Sequence, residues 1–350
     1  MNYTEPRLSF LDAALKSRPI ALIAFESVIF AMLEVITLIG NFMTMYLIFK
    51  RSGLRGTPTN LLIASLAVSD FTMGAFSMHL LVTVLITSKW PFGNGICQYQ
   101  GFISIVLAAA STQTLAWTAI NRYFRVVKST HYIRLFSLDK TKLIMCQIWI
   151  ASLIAPLPYL LAGYQFVFHP GKFFCYLDID ISWFTAVLVV VYVGLPSTTI
   201  FFCYFKVYQM VRRHNSRLSQ YRSGASGGIK MTNEEIRTTH TLFVIVIVFI
   251  ACWTPVLIID IIDTIDGKWS LPRAAYTLYT FLATISNAIN PFIYGLMNPT
   301  LRGGYLDLLQ FMRRKPGGKK YKLRGERKRL PVRNCNTVKG LMNELTTLKS

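Results

Sequence analysis

Seven long apolar runs constrain this chain more than any other feature of its sequence. A helix needs about 20 mostly apolar residues to cross the roughly 30 Å hydrocarbon core of a bilayer. Backbone groups in lipid must bond internally, and these runs lack the alternating polarity of barrel strands. The sequence therefore predicts an all-α membrane protein, a bundle of seven transmembrane helices. The predicted spans, numbered first to seventh, are 20–49, 60–87, 96–120, 143–161, 183–208, 241–265 and 274–297.

Composition excludes the main soluble classes. Hydrophobic residues make up 53% of the 350 residues and charged residues 15%, against roughly 25% charged in soluble domains. The mean hydropathy is +0.43. A chain with this much apolar surface is not a soluble enzyme, a disordered protein or a secreted disulfide module. The net charge of +21 would suggest a nucleic-acid partner in a soluble protein, but its distribution along the chain has another explanation.

The basic residues predict the orientation. Segments 50–57, 122–142, 206–237 and 302–350 hold 30 of the 37 lysines and arginines. By the positive-inside rule these segments face the cytoplasm, so we expect a multi-pass plasma-membrane protein with an extracellular N-terminus, and no nucleic-acid partner is needed. No cleavable signal peptide is evident.

The predicted termini carry two weaker signals. Residues 1–19 form the extracellular N-terminus, where Asn2 begins a glycosylation triplet. Residues 313–350 form a basic cytoplasmic tail. The tail is either disordered and solvated or bound to anionic membrane lipid, and the sequence leaves both open.

Two of the six cysteines are expected to pair. Cys97 begins the third span and Cys175 precedes the fifth, both on the predicted extracellular side, where disulfides persist. Such a bond would pin the intervening loop over the third span. Three other cysteines lie inside spans and are expected to be packing residues: Cys146, Cys203 and Cys252.

Polar residues at similar depth in four spans predict an internal site. An ionisable residue inside a membrane is costly and functional by default, and Asp70 is one. Its expected neighbours are Asn41, Ser111, Ser286, Asn287 and Asn290. Carboxylate, hydroxyl and amide oxygens suit a sodium ion with water; the alternative is a hydrated network without an ion. We favour the ion because an unpaired carboxylate at that depth is expensive. Glu26, in the first span, has no evident partner.

Motifs in nearly every span resemble the class A (rhodopsin-like) G-protein-coupled receptors over about residues 20–312. They include Gly-Asn at 40–41, Leu-Ala-Val-Ser-Asp at 66–70, Trp-Pro-Phe-Gly at 90–93, Asn-Arg-Tyr at 121–123, Trp149, Pro196 with Tyr204, Cys-Trp-Thr-Pro at 252–255 and Asn-Pro-Phe-Ile-Tyr at 290–294. The resemblance implies a receptor and not an enzyme. Such a receptor binds an extracellular ligand in the outer half of the bundle and activates a heterotrimeric G protein as the sixth span moves.

The resemblance also assigns roles. Arg122 would engage the G protein and, at rest, pair with Glu235; Asn121 stands where most members have an acid. Further coupling and switch residues are Tyr123, Tyr204, Trp253, Pro255, Asn290, Pro291 and Tyr294. A sodium ion acting as a negative modulator would be held by Asp70, Ser111, Ser286 and Asn290, and no other cofactor is expected. Residues 298–312 have the spacing of a short interfacial amphipathic helix.

The ligand site follows from the same resemblance. Amine receptors carry an acid where this chain has Ser104, and opsins a lysine where it has Thr284, so amines and retinal are not expected. The predicted pocket residues are Ser104, Ile105, Ala108, Leu188, Val189, Tyr192, Trp253, Val256, Leu257, Asp260, Tyr276 and Thr280.

Segments 119–123 and 293–298 resemble melatonin receptors. The pocket departs from that pattern, because Tyr159, Leu177 and Ile179 stand where melatonin receptors carry ligand-binding residues. We therefore expect a melatonin-like receptor with an altered pocket and a small non-aminergic ligand.

Several alternative interpretations remain open. Asp260 and Asp263 share a helix face and could form a rim that attracts a cationic group on a small peptide. The other acids of this predicted rim are Asp178, Asp180 and Asp266. The same acids could instead form a solvated rim balanced by nearby bases such as Lys172. A transporter is a further alternative; its sequence would favour internal repeats, and none is found in this one. A non-signalling seven-helix protein is left open by Asn121.

Overall fold

The computed structural model describes residues 6–178, 182–220, 233–266 and 269–313. Within them, six helices are long and apolar enough to cross a membrane: Ile20–Lys50, Pro58–Thr87, Gly93–Val126, Leu138–Leu161, Phe184–Arg212 and His240–Asp266. A seventh helix, Arg273–Met297, has 25 residues, which at 1.5 Å per residue reach about 37 Å. It packs against the first and sixth spans. The predicted seven-helix bundle is confirmed.

Several helices continue past the apolar runs that predict them. The third span is helical over Gly93–Val126 and the helix of the sixth over Asn233–Asp266. Hydropathy marks only the part of a helix that suits lipid, whereas backbone hydrogen bonding continues into the polar ends.

Two spans contain a π-helical turn. The second consists of Pro58–Met73, the π-turn Gly74–Met78 and His79–Thr87. The fifth consists of Ser182–Leu188, the π-turn Val189–Gly194 and Leu195–Gln220. Such turns often occur at functional sites because they re-aim side chains. Both π-turns place residues on the cavity described below.

The fourth span is interrupted near its end. Leu138–Ile154 stops before Pro156, and Leu157–Leu161 follows as a separate turn. Proline removes one backbone donor and crowds the preceding turn, which accounts for the break. Shorter helices connect the spans at Ser52–Arg55 and Ser129–Leu135.

The segment before the first span forms a helix, Pro6–Lys16. The sequence predicts only an extracellular N-terminus there. Leu8, Leu11 and Leu15 are buried, and their spacing places them on one helical face. Leu8 and Leu11 pack with Val256 of the sixth span, so this N-terminal helix covers part of the bundle. Asn2 lies outside the described residues.

A β-hairpin covers the same end of the bundle. Its strands, Val167–His169 and Phe174–Tyr176, pair antiparallel with Phe168 opposite Cys175. The Cys97–Cys175 disulfide joins the hairpin to the third span, which confirms the predicted pairing. We call this the disulfide end, and the opposite end, where Arg122 lies, the Arg122 end.

Helix Pro299–Arg313 follows the seventh span, where the sequence predicts an amphipathic helix over 298–312. Asn298 starts it, because its side-chain oxygen accepts the backbone N–H of Leu301 at 3.2 Å. Gly304 packs closely on Leu47. Residues up to Leu306 belong to one compact unit; the tail from 314 lies outside the described residues.

Candidate ligand cavity and its buried charges

One cavity extends from the hairpin into the middle of the bundle. Its volume is about 180 Å³, roughly ten times the space that a single water requires. Phe174 and Tyr176 of the hairpin line its mouth, and Asp70 and Asn290 line its deep end. The wall between them is mainly apolar, as is usual for small-molecule sites.

Most of the predicted pocket residues line this cavity: Ser104, Ile105, Ala108, Leu188, Val189, Tyr192, Trp253, Leu257, Asp260 and Thr280. Val256 and Tyr276 do not. Val256 packs into the cluster that holds Leu8 and Leu11, and Tyr276 is fully buried and donates a hydrogen bond to Asp263. Successive helical residues point about 100° apart, so Leu257 and its neighbour Val256 face different surroundings.

The polar part of the wall includes residues that the sequence analysis does not identify. The hydroxyls of Ser77 and Ser104 lie 2.9 Å apart. Ser77 belongs to the π-turn of the second span. Gln100 is fully buried; its amide donates to the Ser77 carbonyl at 3.2 Å and accepts the backbone N–H of Cys175 at 3.0 Å. Gln100 thus ties the second and third spans to the hairpin.

The deep end gathers most of the residues proposed around Asp70. Asp70 is 1% exposed and accepts a hydrogen bond from Asn290 at 2.8 Å and one from Ser111 at 3.4 Å. Ser286 lines the same cavity while its hydroxyl bonds Ala283 of its own helix. Asn41 instead donates to the backbone of Asn287. A buried carboxylate, two hydroxyls and an amide are oxygen donors of the type that hard cations prefer.

Asp260 and Asp263 of the sixth span do not form a rim, although Asp266, at the end of the same helix, is exposed. Asp260 and Asp263 are 6% and 2% exposed. The Lys172 ammonium, itself fully buried, lies 2.9 Å from Asp260 Oδ1. Asp263 accepts hydrogen bonds from the Tyr276 hydroxyl at 2.7 Å and the Ser270 backbone at 3.3 Å.

For Asp260 and Asp263, both interpretations are therefore wrong. They are neither an open attractor for an external cation nor a solvated, weakly interacting rim. Spacing along the sequence shows that Asp260 and Asp263 share a helical face, but not that this face turns inward beneath the hairpin. Asp180, another of the acids, lies outside the described residues.

Glu26 has partners that the sequence does not reveal. It accepts hydrogen bonds from Arg18 at 2.6 Å and from Arg273 at 2.7 Å. Arg18 also donates to the Leu85 carbonyl at 2.7 Å and to the Ser88 hydroxyl at 3.0 Å. This network joins the end of the N-terminal helix to the first, second and seventh spans.

At the other end of the bundle, Arg122 is 2% exposed. Its neighbour Asn121 accepts a hydrogen bond from Thr59 at 2.9 Å and donates to the Tyr132 hydroxyl at 3.4 Å. Asn121 therefore connects the third span to the second and to the following loop. The side chain of Glu235, predicted to pair with Arg122, lies outside the described residues.

The predicted switch residues occupy the core between the two ends. Tyr204 and Tyr294 are buried in one cluster. Trp253 stacks on Phe249 with ring centroids 5.6 Å apart. Tyr123 packs against the same cluster, and Pro255 and Pro291 lie inside the sixth and seventh helices.

Comparison with known proteins decides the family. The family model described as 7 transmembrane receptor (rhodopsin family) matches residues 40–294. The chain belongs to the rhodopsin family of seven-transmembrane receptors. It is therefore a G-protein-coupled receptor and a multi-pass membrane protein, not an enzyme, and the resemblance drawn from its motifs is confirmed.

The receptor is similar to several melatonin receptors. It is 26% identical to melatonin receptor type 1B-B of Danio rerio over 298 residues, which cover 84% of each chain. It is 26% identical to type 1C of Gallus gallus, covering 80% of each chain, and 24% identical to type 1B of Homo sapiens, covering 78% of this chain and 75% of that one. The crystal structure of squid rhodopsin matches with a TM-score of 0.72 at 21% identity, covering 84% of this receptor and 87% of that chain, which supports the fold.

The positions that depart from the melatonin-receptor pattern are also placed. The Tyr159 hydroxyl donates to the Gln165 carbonyl at 2.8 Å and accepts the Asp178 backbone N–H at 2.9 Å. Tyr159 therefore organises the loop beside the hairpin and does not line the cavity, whereas Leu177 does. Ile179 lies outside the described residues.

Proposed function

We propose that this receptor binds a small, uncharged, mainly apolar ligand in its cavity and then activates a heterotrimeric G protein. The observation that carries the proposal is the cavity that joins the hairpin to Asp70 through a mainly apolar wall. Ser104 supplies a hydroxyl where an amine receptor would need a carboxylate. Similarity to melatonin receptors supports a small-molecule ligand, and the altered pocket favours one other than melatonin.

The proposed orientation places the disulfide end outside the cell. The distribution of lysine and arginine supports it, because most of them lie in the segments at the opposite end. The Cys97–Cys175 bond supports it too, since disulfides persist in the extracellular environment. In this orientation the basic tail, 313–350, lies beside the anionic inner leaflet, and we propose that it binds lipid there.

Activation would proceed through the sixth span. Trp253 lines the cavity and stacks on Phe249, which belongs to the cluster that holds Tyr204 and Tyr294. Pro255, two residues after Trp253, lacks the N–H that would bond the carbonyl of residue 251, so the helix can bend there. An outward swing would uncover Arg122 for the G protein, and Glu235 would restrain that arginine at rest.

A sodium ion is the proposed modulator of this movement. Its site would consist of Asp70, Ser111, Ser286 and Asn290, whose oxygens fit a hard cation. The ion would supply the positive charge that balances Asp70. By holding the third and seventh spans against the second, these residues would favour the resting receptor.

The decisive experiment compares the native receptor with Arg122→Ala in cells, without ligand and with a panel of small molecules that includes melatonin. G-protein activation is measured alongside surface expression. We expect signalling from the native receptor and none from Arg122→Ala, because the variant lacks the guanidinium that engages the G protein. Arg55→Ala, which removes an exposed arginine at the same end, is the matched control and should signal normally.

Equal signalling by Arg122→Ala would contradict the mechanism. A native receptor that reaches the surface and responds to nothing would favour the non-signalling interpretation. Ion flux through vesicles containing the purified protein would instead indicate a transporter or channel.

A further inference from the structure

The mouth of the cavity contains an aromatic box around one ammonium group. Lys172, in the turn of the hairpin, is fully buried, and its Nζ lies 2.9 Å from Asp260 Oδ1. Four ring centroids lie within cation–π range of this nitrogen: Tyr176 at 3.7 Å, Tyr279 at 4.2 Å, Trp269 at 5.2 Å and Tyr276 at 5.8 Å. An ammonium is stabilised by such rings within about 6 Å, and more so when it is desolvated.

The walls of the box are held by bonds that do not involve the ammonium. The Tyr279 hydroxyl donates to Asp260 Oδ2 at 3.1 Å, and the Tyr276 hydroxyl donates to Asp263 at 2.7 Å. Trp269 packs in the same hydrophobic cluster as Tyr276 and Tyr279. The aromatic rings of the box are therefore held in place by contacts with one another and with the two aspartates, as in a binding site. The Lys172 ammonium occupies the space between them.

The backbone holds the hairpin turn over this box. The Lys172 carbonyl accepts the Thr280 hydroxyl at 2.8 Å, and its N–H donates to His169 Nδ1 at 3.1 Å. At Gly171 a side chain would meet the Tyr276 ring at 2.9 Å. These contacts fix the backbone of Lys172 and do not involve its ammonium group. The side chain therefore starts from a fixed position over the box.

The box also has more acid than one lysine neutralises. Asp263 lies one turn beyond Asp260 and is 2% exposed. Its Oδ2 has no hydrogen-bond partner among the described residues. The donors to its other oxygen, from Tyr276 and Ser270, are neutral. Lys172 also interacts electrostatically with Asp263, so one ammonium faces two buried carboxylates, an arrangement that favours a site for cations.

We propose that this box is a binding site for a primary ammonium group and that Lys172 is its intramolecular occupant. A primary ammonium matches the walls because it donates N–H bonds to the carboxylate while presenting its charge to the rings. Lys172 fills the box in the native receptor, so an external primary ammonium can enter only where that side chain is absent or displaced. The site is separate from Ser104 and does not depend on the identity of the ligand below it.

The test removes the Lys172 side chain from the box and replaces it with a free amine. Lys172→Ala removes the atoms from Cγ to Nζ, which correspond to n-propylammonium. The full receptor is purified in detergent, and its melting temperature is measured as n-propylammonium chloride is added. We expect Lys172→Ala to melt below the native receptor and its melting temperature to rise with saturation as the amine binds. The native receptor, whose box is filled, should not respond.

Several controls separate binding from general effects. Sodium chloride and n-propanol, at matched concentrations, should not restore Lys172→Ala. Adding Asp260→Asn to Lys172→Ala should abolish the response to the amine, because the anion is gone. Lys89→Ala, which removes an exposed lysine at the same end, should melt like the native receptor with or without amine.

The proposal would be overturned if n-propylammonium did not raise the melting temperature of Lys172→Ala, or if n-propanol raised it equally. It would also be overturned if the double variant still responded to the amine. If Lys172→Ala is too unstable to purify, its surface expression is measured in cells grown with n-propylammonium or n-propanol. Expression that rises only with the amine supports the site, and expression that ignores the amine overturns it.

Discussion

The mouth and the deep end of one cavity hold their buried carboxylates in different ways. At the mouth, Asp260 lies 2.9 Å from the ammonium of Lys172. At the deep end, Asp70 accepts hydrogen bonds from Asn290 and Ser111, which are neutral. The protein thus supplies a counter-charge at the mouth, whereas at the deep end the side chains that bond Asp70 are neutral. The proposed sodium ion would supply at the deep end the positive charge that Lys172 supplies at the mouth.

The largest expected effect on stability comes from the charge network beside the mouth. Glu26→Gln would leave the buried Arg18 and the neighbouring Arg273 without their carboxylate. Breaking a buried ion pair by removing one partner costs about 3–5 kcal/mol. We expect a clear fall in the melting temperature of the purified receptor.

Asp139→Asn is the matched control for that variant. Asp139 pairs with Lys142, but its side chain is 91% exposed, so its removal should leave the melting temperature nearly unchanged. Similar melting of Glu26→Gln and the native receptor would show that the network does not hold the N-terminal helix against the bundle.

A second prediction concerns packing between the hairpin loop and the third span. A Cβ on Gly101 would lie 2.3 Å from the Phe166 ring, and overpacking of this kind costs about 1–3 kcal/mol. Gly101→Ala should therefore lower the melting temperature. Gly95, in the same helix, has open space where its Cβ would stand, so Gly95→Ala should be neutral or slightly stabilising. Equal melting of the two variants would contradict the close approach.

Removing the carboxylate at the deep end should cost less stability than removing Glu26 beside the mouth. Asp70→Asn leaves no buried cation unpaired, so in sodium-free buffer we expect a loss of stability near the average for point mutants, about 1 kcal/mol. The melting temperature of the native receptor should rise with sodium chloride relative to choline chloride, and that of Asp70→Asn should not. A sodium response retained by Asp70→Asn would place the ion elsewhere.

The smallest expected effect is a pH dependence at the mouth. Burial, together with nearby Lys172, lowers the pKa of His169 well below its usual value. The folded state therefore keeps this imidazole neutral. Its contribution to stability is complete above the unfolded pKa of about 6.5 and is lost as pH falls below it. Each pH unit in that range costs at most about 1.4 kcal/mol.

Melting temperatures of the native receptor and of His169→Asn, measured between neutral and mildly acidic pH, test this dependence. The native receptor should lose stability on acidification more steeply than His169→Asn. Parallel curves would assign the pH dependence to other groups.

The sequence alone determines the number of spans, the disulfide and the membership of the family. Hydropathy reports directly which segments suit lipid, and the motifs are local in sequence. The same reasoning identifies Asp70 and its neighbours, because an acid at mid-membrane depth is conspicuous. It also finds most of the cavity wall.

Only the tertiary structure decides which charged side chains pair at and beside the mouth. Lys172 and Asp260 are 88 residues apart, and Glu26 and Arg273 are 247 apart, so no local pattern pairs them. The sequence shows Asp260 and Asp263 on one helical face, but the hairpin and the N-terminal helix determine that this face is buried. A charged side chain near a membrane surface costs little free energy while water solvates it, but much more when it is buried without a partner. Which case applies depends on the segments that pack over it.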